Sequence, residues 1–81
     1  MEDAENRVTL PDLGDIENAT VVEWFANVDD AVTEGEDLVE VETSKTTFVV
    51  PVPYSGVVRA ILAPTGSTVR TGDPLAELTR H

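Results

Sequence analysis

The sequence predicts an all-β domain of two small packed layers, and three observations lead there. The apolar residues are mainly valine, with Trp24, Phe25, Phe48 and Tyr54 the only aromatics; β-branched side chains pack well on a pleated surface. Short apolar runs are separated by glycine- and aspartate-containing turn signals, and nothing predicts a helix of useful length. The chain also repeats itself at an offset of 37 residues.

The repeat appears when residues 29–42 are laid over 66–79. Val32 falls on Val69, Gly35 on Gly72, Glu36 on Asp73, Leu38 on Leu75, Glu40 on Glu77 and Val41 on Leu78. Upstream, Val21 falls on Val58, Phe25 on Leu62 and Ala26 on Ala63. Two copies of one strand-turn-strand pattern imply a pseudo-symmetric fold whose halves bury each other's apolar faces.

Taken in order, residues 8–13 read as an opening strand and 20–27 as the first strand of the repeat. Asp29-Asp30 is a turn, Ala31-Val32 a short strand, 34–36 a second turn and 38–42 a strand. Glycine and aspartate suit these turns because they tolerate positive φ or bond their own backbone. Along 38–42, Leu38, Glu40 and Glu42 alternate with Val39 and Val41; both sets hold apolar members, so the pattern leaves the core face open. Residues 47–52 form the next strand, ended by Pro51 and Pro53, which donate no ladder hydrogen bond. Residues 53–56 link into the second copy: strand 56–63, turn Gly66-Ser67, strand 68–69, turn 71–73 and strand 75–78. The expected organisation is a flexible tail over 1–7, one domain over 8–79 and a short end at 80–81.

A chain of 81 residues holds one small domain and leaves no room for a separate catalytic one. Its net charge of −11 would repel a phosphate backbone, which excludes nucleic acid and anionic membrane as expected partners. The charge keeps a domain soluble and could steer it to basic surfaces, although acidic residues also simply cover solvated faces. Without cysteine there is neither disulfide nor thiolate metal site, so any redox sulfur must come from an attached group. Residues 1–6 do not resemble a secretory signal and no apolar run approaches membrane-spanning length, so the cytoplasm is the expected location. His81 has no second histidine or cysteine to join it in a metal site, and no triad or phosphate-cradling loop suggests an enzyme.

Lys45 is the only lysine; the other basic residues are Arg7, Arg59, Arg70 and Arg80. It lies between the predicted strands 38–42 and 47–52, at a turn, and offers the only side-chain primary amine for acylation. Its flexible stem would give an attached group reach, and its deprotonated amine is a competent acyl acceptor. Under the 37-residue offset Lys45 maps past position 81 in one direction and onto Val8 in the other, which puts the lysine turn and the chain ends at opposite ends of the molecule.

In this order and spacing, Leu10-Pro11-Asp12-Leu13-Gly14, Val22-Glu23-Trp24, the paired turns 35–38 and 72–75, Val41-Glu42-Thr43-Ser44-Lys45 and Pro53-Tyr54-Ser55-Gly56 resemble the lipoyl domains of 2-oxo acid dehydrogenase complexes, within the biotinyl/lipoyl attachment family. The resemblance covers residues 8–79. It implies a flattened barrel of two four-stranded antiparallel sheets with a pseudo-twofold axis, and lipoic acid amide-linked to Lys45 at an exposed type I turn. It further implies a swinging-arm carrier, not an enzyme, within a multidomain dihydrolipoamide acyltransferase. The implied partners are a lipoate-protein ligase or lipoyl transferase, a thiamine diphosphate-dependent decarboxylating component, the acyltransferase core and dihydrolipoamide dehydrogenase.

Around the turn, Glu42, Thr43, Ser44 and Thr46 are candidate recognition residues, or simply a solvated hairpin. Gly56 matches a motif glycine, read as a turn position needing positive φ. Trp24 is expected to pack with partial exposure, and Phe25 and Phe48 to lie in the core or at its edge. The chain departs from the family pattern at Ser44, where aspartate usually precedes the lysine, at Asp29-Asp30 in place of Gly-Asp, and at Thr46-Thr47. The first bears on recognition by a decarboxylating partner; the ligase, which needs mainly the turn geometry, is expected to tolerate all three. The rival readings are a biotin carboxyl carrier, whose lysine is usually flanked by methionines, and an unmodified interaction module of the same fold.

Overall fold

Valines at alternate positions cannot all leave water on one sheet, and the chain resolves this by stacking two. In the computed structural model, which describes residues 7–12, 14 and 17–80, eight strands run in order: β1 (Arg7–Thr9), β2 (Asn18–Trp24), β3 (Ala31–Val32), β4 (Asp37–Glu42), β5 (Thr47–Pro51), β6 (Gly56–Ile61), β7 (Thr68–Arg70) and β8 (Pro74–Arg80). They form two four-stranded sheets in the orders β1-β8-β6-β3 and β5-β4-β2-β7, all pairs antiparallel. The predicted all-β architecture and its two layers are both present.

Exchanging β1 with β5, β2 with β6, β3 with β7 and β4 with β8 converts one strand order into the other, so the repeat is a structural pseudo-twofold. Val21, Leu38, Val39 and Val41 are buried, as are their counterparts Val58, Leu75, Ala76 and Leu78. The turn bonds repeat as well. Asp29 N–H donates to Val58 O (2.7 Å) and Gly66 N–H to Val21 O (2.8 Å); Gly35 N–H donates to Val52 O (2.9 Å) and Gly72 N–H to Leu10 O (2.8 Å).

Each half carries the same irregularity, which strict alternation hides. Between the pairs Asp37↔Pro51 and Val39↔Val50 the ladder passes over Leu38, and between Thr9↔Pro74 and Val8↔Ala76 it passes over Leu75. A β-bulge of this kind lets two successive side chains face the same way. This settles the core face of β4: Leu38, Val39 and Val41 are all fully buried, while Glu42 is exposed. A second bulge pair skips Val22 in β2 and its counterpart Arg59 in β6.

Strand ends differ from the sequence reading in several places. The segment 20–27 begins earlier, at Asn18, and leaves the ladder after Trp24, because Phe25 and Ala26 enter a turn in which Asp30 Oδ2 accepts the Asn27 N–H (2.8 Å). Phe25 is consequently 44% exposed rather than core, whereas Phe48 packs on the core edge as expected. Trp24 also sits there, its Nε1–H donating to Ala63 O (2.8 Å). The opening strand stops at Thr9, with Leu13 outside the described residues; β6 ends at Ile61, and β7 and β8 extend to Arg70 and Arg80. Arg7, assigned to the tail, is the first residue of β1; residues 1–6 and His81 lie outside the described residues.

The counterpart of β5 also needs correction. Register and burial equate Val50 and Val52 with Val8 and Leu10, so Val8 corresponds to Val50, not to Lys45. The bend at 43–46 instead corresponds to the gap between the end of β8 and the start of β1. The expected separation of lysine and chain ends still follows from the topology. β5 leads away from the lysine turn to Pro51, and only residues 52–55 separate it from Gly56, which pairs with Arg80.

Candidate functional site

Lys45 occupies the tip of the β4–β5 hairpin. The last ladder pair below it is Glu42↔Thr47, and residues 43–46 make the bend. Thr43 N–H donates to Thr46 O (2.8 Å), and the Thr43 hydroxyl donates to the same carbonyl (2.7 Å). That hydroxyl also accepts the N–H groups of Lys45 (3.2 Å) and Thr46 (3.0 Å). Neither Ser44 nor Lys45 has positive φ, which excludes type II and the primed turns and fits the expected type I geometry.

Ser44, Lys45 and Thr46 are exposed, and Thr43 is half-buried against the bend. Below the tip, the outer face of the sheet carries Glu42 beside Thr20 and Thr47, then Glu40 beside Glu23 and Val49. The arrangement is a rigid two-stranded base, a pinned bend and one free amine on a four-carbon stem. Such a base fixes where an attached group starts while leaving the group free to sweep.

The structure brings Glu42, Thr43, Ser44 and Thr46 together around Lys45, as their adjacency requires. It does not bring Gly56 there. Gly56 opens β6 in the other sheet, pairs with Arg80 and is buried, and its φ is not in the positive range. The reading of a positive-φ turn is therefore corrected: a Cβ at Gly56 would run into the carbonyl oxygen of Thr79, so glycine is required by a close backbone approach. By contrast Asp29, which replaces a glycine of the family pattern, does take the left-handed conformation (φ 78°), as aspartate can. What sequence reasoning missed is the inward use of the Thr43 hydroxyl. A threonine two places before a turn lysine signals an ST-turn, but its direction depends on the turn type.

With this geometry established, similarity to known proteins places the chain. A family model, Biotin_lipoyl, described as "Biotin-requiring enzyme", matches residues 6–78. The chain belongs to the biotinyl/lipoyl attachment family. Among relatives of this attachment domain, the dihydrolipoyllysine-residue acetyltransferase component of the pyruvate dehydrogenase complex of Haemophilus influenzae is 38% identical over 72 residues, 89% of this chain and 12% of that protein. The mitochondrial dihydrolipoyllysine-residue succinyltransferase component of the 2-oxoglutarate dehydrogenase complex of Mus musculus is 46% identical over 57 residues, 70% of this chain and 13% of that protein. The chain thus spans about an eighth of the length of these relatives.

The solution structure of the lipoyl domain of the 2-oxoglutarate dehydrogenase complex from Azotobacter vinelandii superposes on the attachment domain with a TM-score of 0.74 at 31% identity, covering 91% of this chain and 95% of that one. A single-chain, multi-domain long-chain acyl-CoA carboxylase contains a matching segment as well, with a TM-score of 0.76 at 30% identity over 94% of this chain and 7% of that one. The fold is therefore shared with a lipoyl domain of a 2-oxoglutarate dehydrogenase complex and with a segment of a carboxylase, and the sequence likeness of this attachment domain extends to dihydrolipoyllysine-residue acyltransferase components.

Proposed function

We propose that the domain is a swinging-arm acyl carrier that bears lipoate in amide linkage on Lys45. The observation that carries the reading is a sole lysine, exposed at the tip of a hairpin whose bend is pinned by hydrogen bonds. In a ligase site the deprotonated Nζ would attack the activated carboxyl carbon of lipoate; an amide C–N bond forms, the activating group leaves and the amine loses its second proton. The bound dithiolane would supply a disulfide that takes up an acyl group and two electrons. This chain's own residues hold the point of attachment, keep the stem clear of the sheet face and confer solubility through charge. Tethering raises the effective concentration of the carried group at each partner site.

The likeness to dihydrolipoyllysine-bearing acyltransferase components supports a place within a 2-oxo acid dehydrogenase complex. The partners in that reading are a lipoate ligase or lipoyl transferase, a thiamine diphosphate-dependent decarboxylating component, the acyltransferase core and dihydrolipoamide dehydrogenase. A second reading, biotin carrier, draws on the carboxylase segment of the same fold; Ser44 and Thr46 in place of flanking methionines weigh against it.

The test is acyl loading. The lipoylated domain is incubated with purified thiamine diphosphate-dependent decarboxylating components and their substrates, pyruvate or 2-oxoglutarate, and its intact mass is followed. An acyl group gained on the lipoylated domain with one of them is the expected result. No acyl gain with either, while a known lipoyl domain is loaded in parallel, would remove the reading of a carrier for the pyruvate or 2-oxoglutarate reaction.

A further inference from the structure

We propose that Thr43 is a positioning residue for the modification of Lys45, acting through the turn and not through contact with the modifying enzyme. The inference rests on Lys45 as the attachment point. The bend spans four residues, 43–46, above the last ladder pair Glu42↔Thr47, and the absence of positive φ at Ser44 and Lys45 fits the type I turn around which such loops are built. One backbone hydrogen bond crosses it, from Thr43 N–H to Thr46 O (2.8 Å); it does not engage the Lys45 N–H, so a hold at that residue falls to a side chain.

The Thr43 hydroxyl supplies that hold. A threonine hydroxyl has one O–H donor and two acceptor lone pairs, and all three are used within the bend: the donor on Thr46 O (2.7 Å), the acceptors on the N–H groups of Thr46 (3.0 Å) and Lys45 (3.2 Å). With its capacity filled, the hydroxyl has nothing left to offer an enzyme. It fixes the backbone of Lys45 at its own N–H and that of Thr46 on both sides. β-branching restricts χ1 of Thr43 and keeps the oxygen over the bend. A ligase that recognises the turn then meets the amine in one place instead of an ensemble, and misplacement on the order of 1 Å can cost a reaction about a hundredfold.

Thr43→Val keeps the branching and removes the oxygen; Thr43→Ser keeps the oxygen. Thr47→Val, one residue into β5, controls for loss of a hydroxyl nearby. Each variant is assayed for lipoyl transfer by a lipoate ligase, for chemical acylation of Lys45 by a small N-hydroxysuccinimide ester, and for amide exchange at Lys45 and Thr46. For Thr43→Val we expect kcat/KM of lipoyl transfer to fall by roughly ten- to a hundredfold, amide exchange at both positions to speed up, and chemical acylation to stay at the wild-type rate. Thr43→Ser should recover most of the transfer rate, and Thr47→Val should match wild type. Transfer to Thr43→Val at the wild-type rate would overturn the inference while leaving Lys45 as the attachment point. Equal losses in ligase-catalysed and chemical acylation would also overturn it, by showing that the amine itself had become inaccessible. Wild-type protein that the ligase leaves unmodified would overturn both readings together.

Discussion

The bend that carries Lys45 and the place where β8 ends beside β1 are equivalent positions in the fold, yet one is closed and the other open. At the first, β4 turns back through residues 43–46 into β5. At the second, β8 runs on through Arg80 while β1 starts at Arg7 opposite Glu77. The scaffold beneath is equivalent in both, with bulges and buried residues at corresponding positions. The surface differs: Glu77 has Arg7 at 3.6 Å, whereas its counterpart Glu40 faces Val49. Buried positions are thus distributed over two equivalent halves, while the exposed lysine and its pinned bend occur at one end only.

If stability is shared in this way, equivalent substitutions should cost alike. Leu38 and Leu75 are the bulge residues of the two halves and both are fully buried. Leu38→Ala and Leu75→Ala should each lose about 2–5 kcal/mol, measured by urea unfolding and agreeing within ~1 kcal/mol. A much larger loss in one half would break the equivalence.

A smaller effect should expose where the halves differ. Gly56 corresponds to Ala19, whose methyl group is buried without conflict, while a methyl at Gly56 meets the Thr79 carbonyl. Gly56→Ala should therefore destabilise by about 1–3 kcal/mol through overpacking, a loss visible as a lower denaturation midpoint with an unchanged m-value. A midpoint at the wild-type value would show that β6 and β8 can move apart freely.

The smallest effect belongs to the paired turns. Asp29 (φ 78°) and Gly66 (φ 95°) hold the same left-handed position. Gly66→Ala should cost about 1–2 kcal/mol, and Asp29→Gly should be neutral or mildly stabilising because it relieves the same strain. Thermal melts of the two variants should move in opposite directions or leave Asp29→Gly unmoved; a loss for Asp29→Gly as large as that for Gly66→Ala would mean that the aspartate side chain holds the turn.

Much of this was legible in the sequence because the repeat preserved the residues that each turn and core position demands. Val21/Val58, Leu38/Leu75 and Gly35/Gly72 were enough to imply two equivalent halves, and a lone lysine between two strands marked the tip. The bulges were not legible: a skipped residue such as Leu38 looks like a broken alternation, and only the partner strand shows which neighbour is passed over. Gly56 was misread for a similar reason, since its constraint comes from Thr79, 23 residues away in the chain. Phe25 reads as core or core edge from the sequence, but the turn that follows it leaves it exposed.

Mass spectrometry can establish whether Lys45 is the point of attachment. The domain and its Lys45→Arg variant are each incubated with an active lipoate ligase and lipoate, and any adduct is located by fragmentation. The expected result is one lipoyl group on the wild-type protein, confined to Lys45, and none on the variant. A folded wild-type domain that gains nothing, or a variant that gains the same adduct, would contradict it.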